Sequence, residues 1–73
     1  MKEIENDLLK SAEARDGKIA ADITRPFLNK YSEHRMRRVI LALAGEGFLH
    51  LDRTSVKGRV FVKITPRGRR AIT

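Results

Sequence analysis

The sequence predicts a mainly helical α+β domain, three helices followed by a two-stranded β-hairpin, and three observations predict it. Apolar residues recur every three or four positions in separate segments as far as Leu43. From Leu49 onward they alternate instead, with a period of two. Residues that start, stop or turn a chain stand at the joins: Gly17, Ser32, Gly45-Glu46-Gly47 and Thr65-Pro66.

The first helix is expected over Lys2–Arg15, where Ile4, Leu8, Leu9 and Ala12 make one apolar stripe. Glu3, Glu5 and Asp7 in the early turns and Arg15 near the end complement the helix dipole, and Gly17 is the stop. Ile19 is the candidate for a stub of strand. A short second helix is expected to carry Ile23, Phe27 and Leu28 inward. Pro26 fits only in a first turn, which favours Thr24 over Asp22 as its N-cap. Ser32 caps the third helix, whose buried face is Met36, Val39, Ile40 and Leu43 and whose other side carries Glu33, His34, Arg35, Arg37, Arg38 and Leu41. Gly45 and Gly47, either able to take positive φ, end it. Leu49 and Leu51 then alternate with His50 and Asp52, and Val60, Val62 and Ile64 with Phe61 and Lys63. The polar stretch Arg53–Arg59 joins these two strands, and Thr65-Pro66 opens a last helical turn.

The expected core is Ile4, Leu8, Phe27, Leu28, Met36, Val39, Ile40, Leu43, Phe48, Leu49, Leu51, Val60, Val62 and Ile64. Leu9, Leu41, Val56 and Phe61 are surplus, available for a homodimer contact, with helix one the candidate surface, or simply exposed.

At 73 residues the chain is expected to form a single domain, residues 1–73, with one small core. It contains no Cys, and only His34 and His50 could offer imidazole, so neither disulfides nor a metal site is expected. The longest apolar run, Val39–Ala44, is too short to cross a membrane, and residues 1–16 have no signal-peptide stretch. A cytoplasmic protein is therefore expected. Nucleophile–base pairs, carboxylate clusters and phosphate loops are missing, which argues against an enzyme; neither a cofactor nor a small-molecule pocket is expected.

Charge placement is more informative. Residues 1–31 hold six Lys and Arg against six Asp and Glu, whereas residues 32–73 hold ten against three, so the net charge of +7 belongs wholly to the second part. Such asymmetry is the footprint of a face that binds a polyanion, with a solvated basic surface as the plain alternative.

Four features from Ser32 onward resemble the winged helix-turn-helix family, in particular regulators of the MarR and PadR type and small regulators of archaea and their viruses. They are Ser32-x-x-x-Met36 opening a helix, Leu43 seven residues later, Glu46-Gly47-Phe48-Leu49 at its exit, and Arg59–Thr65 running into Pro66-Arg67-Gly68-Arg69. The resemblance implies a three-helix domain with a β-hairpin wing, a duplex-DNA partner, a role in transcription regulation, and a nucleoid-associated protein of prokaryotic or viral origin. The turn before helix three departs from the pattern, with Asn29 or Lys30 where the family has Gly.

On this reading helix three enters the major groove, where the exposed side chains of its first turns reach base edges. Ser32, His34, Arg35, Arg37 and Arg38 are the candidate base contacts, with Arg35 and Arg38 suited to guanine and Arg37 to base or phosphate. Glu33 either accepts from cytosine or supports the helix N-terminus. By the resemblance, a wing bearing Arg53, Lys57 and Arg59 touches the backbone or the adjacent minor groove. Thr24, Arg25 and Lys30 are further backbone candidates, as is the cluster Arg67, Arg69 and Arg70, for which a solvated tail is the alternative. Two other roles suit the same fold: an architectural DNA binder resembling phage excisionases, and a protein–protein interaction module.

Overall fold

The computed structural model describes residues 2–53 and 59–72. Helix α1 spans Glu3–Ala14 and starts where the Lys2 N–H donates to the Glu5 carboxylate at 2.9 Å. The chain leaves it through Gly17, whose φ of 80° lies in the left-handed region. It then runs beside the later hairpin: Gly17 N–H donates to Val62 O, Val62 N–H to Lys18 O and Ala20 N–H to Val60 O, and Ile19 bridges Phe61. Ile19 is thus the strand stub its sequence suggests.

Helix α2 spans Ala20–Thr24, and a 3-10 turn, Arg25–Phe27, follows it directly. Here the structure corrects the expectation of an N-cap at Thr24. The extended residue before the helix is Ile19, and the Thr24 hydroxyl donates back to Ala20 O at 3.1 Å. Pro26 stands in the 3-10 turn, where the missing N–H does not interrupt an α-helical ladder. Because the chain turns early, Leu28 is left 43% exposed rather than in the core, and Phe27 is only half-buried.

Helix α3, Glu33–Gly45, begins as expected, with Ser32 Oγ accepting the Arg35 N–H at 3.1 Å. Its exit differs in one detail: Gly45 is helical and only Gly47, at φ 84°, takes the left-handed conformation. Strands β1 (Leu49–Asp52) and β2 (Phe61–Ile64) pair antiparallel, Leu49 opposite Ile64 and Leu51 opposite Val62. Val60, expected in the strand, precedes it and gives its carbonyl to Ala20. Helix α4, Pro66–Ala71, is capped by Thr65, whose oxygen accepts the Gly68 N–H at 3.0 Å and whose hydroxyl donates to Gly47 O at 2.6 Å.

One cluster forms the core: Ile4, Leu8, Leu9 and Ala12 from α1, Ile23 from α2, Met36, Ile40 and Leu43 from α3, and Leu49, Val62 and Ile64 from the hairpin. Leu9 is fully buried, so it is not the surplus residue its sequence position suggested, and it leaves the candidate dimer surface on helix one. Phe61 is half-buried beside Ile19, while Val39, Phe48, Leu51 and Val60 pack around the core edge. Val56 lies outside the described residues. The Ser11 hydroxyl donates to Ile23 O at 2.9 Å and ties α1 to α2 inside this core.

Candidate nucleic-acid interface

Successive residues on an α-helix turn by about 100°, so the buried stripe of α3 determines where its polar residues face. Met36, Ile40 and Leu43 face the core. His34, Arg38, Leu41, Ala42 and Gly45 fall opposite them, all exposed. Glu33 and Arg37 lie on one flank and Arg35 on the other.

Each flank has its own environment. Arg37 donates to the Glu33 carboxylate at 3.3 Å, an exposed i,i+4 pair. Both border an open groove of about 530 Å³ between α3, the start of α2 and the hairpin. Ile19, Ala20, Ile40, Leu41, Leu51 and Val60 line its apolar part, and Arg53 and Arg59 stand on the hairpin side. The sequence led us to expect no such concavity. On the opposite flank the Arg35 guanidinium lies over the ring of Tyr31, 5.3 Å from its centroid. Tyr31 is half-buried and packs back against the core as the chain turns, as its sequence position suggests; its i,i+4 spacing from Arg35 is the signal for the ring contact.

The structure therefore brings Arg37 together with Arg53 and Arg59 beside the groove, while His34 and Arg38 lie on the outward face of α3 and Arg35 on its other flank. Ser32 is exposed at the same end, its oxygen engaged as the cap. Lys57 lies outside the described residues.

The remaining candidates are placed elsewhere. Thr24 is buried, with its hydroxyl satisfied by Ala20 O, so it is not exposed to a phosphate. Arg25 pairs with Asp22 at 3.4 Å and borders a separate hollow with Arg15 and Lys18. Lys30 is exposed in the turn before α3. Arg67 lies over the Phe48 ring at 5.2 Å, beside Gly47. That position is at the C-terminal end of α3, about 20 Å from Ser32 at 1.5 Å per residue. Arg69 faces α1 and its exit, 3.9 Å from Glu13 and 3.5 Å from Asp16, and Arg70 is exposed on the same short helix.

Among the described residues no group of three or more His, Cys, Asp or Glu could hold a metal ion, and no helix is long and apolar enough to cross a membrane.

No family model and no curated protein sequence matches the chain. In three dimensions it is similar to Bordetella bronchiseptica BpsR, a protein whose DNA binding is regulated by 6-hydroxynicotinic acid. The TM-score is 0.81 at 19% sequence identity, over 99% of this chain and 50% of that one. The chain thus spans half the length of that protein. A mainly helical chain that closes on an antiparallel hairpin, and superposes over nearly its whole length on that structure, has the winged-helix fold.

Proposed function

We propose that residues 1–73 act as one winged-helix domain that binds duplex DNA and regulates transcription in the cytoplasm, with α3 in the major groove and the hairpin on the flanking backbone or minor groove. The observation that carries this reading is the placement of Arg37 with Arg53 and Arg59 along the groove beside α3, whose exposed first turns also carry Arg35 and Arg38. Arginines on a helix of this width meet both needs of DNA recognition, phosphate neutralisation and bidentate bonds to guanine. The fold shared with BpsR, whose DNA binding is regulated, supports the same reading.

His34 and Arg38, central on the exposed face, are the proposed base contacts together with Arg35. Arg37, beside the groove with Arg53 and Arg59, is assigned to phosphate. The test is titration of a fluorescent random-sequence duplex across a salt series with the wild type and an Arg35→Ala/Arg38→Ala double mutant. Five phosphates neutralised per chain would give a log–log salt slope of roughly −4.5. Steep wild-type binding with much weaker binding by the mutant supports the assignment. No binding by either at about 50 mM salt, where electrostatic contacts are strong, would refute it.

A further inference from the structure

We propose that Tyr31 is the positioning residue of the DNA-reading surface: its ring holds the Arg35 guanidinium so that the guanidinium edge stays open for a guanine base. This inference rests on the DNA-binding reading above. Three restraints converge on Arg35. The ring lies 5.3 Å from its guanidinium carbon. The ring is itself immobilised, half-buried against the core, on a residue whose N–H donates to Phe27 O at 2.9 Å. The backbone of Arg35 is pinned one residue on, through its N–H bond to the Ser32 cap. A helical side chain leans toward the N-terminus, which places the stem of Arg35 over Tyr31.

The chemistry of this contact differs from that at Arg37. A carboxylate such as Glu33 takes an N–H donor and offsets charge, so Arg37 has one Nη2 donor engaged at 3.3 Å and its charge partly cancelled. A ring cancels no charge, and where a guanidinium stacks on its face the in-plane donors that guanine O6 and N7 require stay open. Among the described residues Arg38 makes neither an ion pair nor a ring contact, so none of them pre-orders it. Among the described residues Arg35 alone of the three has a ring contact and no carboxylate on its guanidinium. Ordering a long side chain before binding removes part of the entropic cost of ordering it on the DNA. The Tyr31 ring therefore acts on discrimination at one base pair rather than on general affinity.

The test begins with enrichment of duplexes from a randomised pool by the wild-type protein. Affinities for the enriched sequence and each of its single-base-pair variants are then measured for wild type, Arg35→Ala, Tyr31→Phe and Tyr31→Leu. Arg35→Ala is expected to abolish discrimination at one G·C pair. Tyr31→Leu should reduce discrimination at that same pair about two- to fivefold, the equivalent of an exposed cation–π contact, with the other pairs and the salt slope unchanged. Tyr31→Phe keeps the ring and should behave as wild type. Far-UV circular dichroism checks folding, and Tyr31→Met replaces Tyr31→Leu should the latter unfold. Undiminished discrimination in Tyr31→Leu, a loss spread evenly over all base pairs, or equal damage from Tyr31→Phe overturns the proposal. So does an Arg35→Ala protein that discriminates normally. If the wild type enriches no sequence at all, the DNA-reading assignment itself falls, and this inference with it.

Discussion

Gly68 offers a direct test of how α4 is docked. The residue is buried, and its Cα approaches the carbonyl of Phe48 so closely that an added Cβ would overlap Phe48 O. The same Cβ would stand 2.8 Å from Ile64 Cγ1 and 3.2 Å from the Phe48 carbonyl carbon. The Phe48 carbonyl cannot rotate away without weakening the bond it accepts from the Thr65 N–H at 3.2 Å. A Gly68→Ala protein must therefore lift α4 off the end of α3 and the hairpin, straining the Thr65 cap as it does so. Overpacking against backbone costs about 2–3 kcal/mol, and the better helix propensity of Ala returns about 0.5–1 kcal/mol. The net destabilisation is about 1–2.5 kcal/mol, or a Tm lower by roughly 5–20 °C for a domain of this size. Gly45→Ala is the matched control: also helical, exposed, and with nothing within 4 Å of the new Cβ. It should raise stability by about 0.5–1 kcal/mol. Thermal unfolding followed by far-UV circular dichroism measures both. A Gly68→Ala protein as stable as wild type would refute the close docking of α4 on Phe48, whatever Gly45→Ala does.

Three further outcomes are expected. Asp16 accepts the Ile64 N–H at 3.0 Å and also faces Arg69, so in urea titrations Asp16→Ala should lose about 1–3 kcal/mol, the cost of a partly buried N–H left without its acceptor. Asp16→Asn, which keeps an accepting oxygen and loses only the ion pair, should lose less than about 1 kcal/mol. Ser32→Ala removes the cap of α3 and should cost about 1 kcal/mol in the same assay, and Ser32→Asp should restore most of it. In DNA titrations over a salt series, Arg53→Ala and Arg59→Ala should each flatten the salt slope by about 0.9, whereas Arg69→Ala, facing Glu13 and Asp16, should leave it unchanged.

The sequence was most informative where a single physical signal dominates. The α3 cap at Ser32, the stop near Gly47 and the switch to two-residue alternation at Leu49 appear in the structure at or within a residue of where the pattern puts them. Helix α2 was misread because Pro26 was made to mark a helix start. The competing solution, an α-helical turn already complete at Thr24 with the proline in a following 3-10 turn, satisfies the same missing N–H. Leu28 then lost its place in the core, since its burial was inferred from a helix that ends before it. Leu9 was misread for a different reason. It belongs to the apolar stripe with Ile4, Leu8 and Ala12 yet was set among the surplus, and α1 packs against α2, α3, α4 and β2, which buries the whole stripe. The groove and the Tyr31–Arg35 contact depend on how elements meet, and neither is local in sequence except through the i,i+4 spacing of the latter pair.

Charge shows the same division between what is linear and what is spatial. Counting along the chain assigns all the excess to residues 32–73 and makes Arg67, Arg69 and Arg70 look like part of one basic face. Folding sends that segment past the far end of α3 and onto α1, where Glu13 and Asp16 lie near Arg69 and the Phe48 ring lies under Arg67. The acids that balanced the first half in the count thus face a cation of the second. What remains near the start of α3 is a smaller and more selective set. Arg53 and Arg59 stand beside the groove, Arg37 is held by Glu33, and Arg35 is held by Tyr31. Two arginines four residues from their respective partners are therefore inequivalent in the free protein. On the proposed DNA-binding reading, a phosphate that approaches Arg37 competes with Glu33 for its charge. The Tyr31 ring sets up no such competition at Arg35, which on the same reading leaves that side chain to test a base edge.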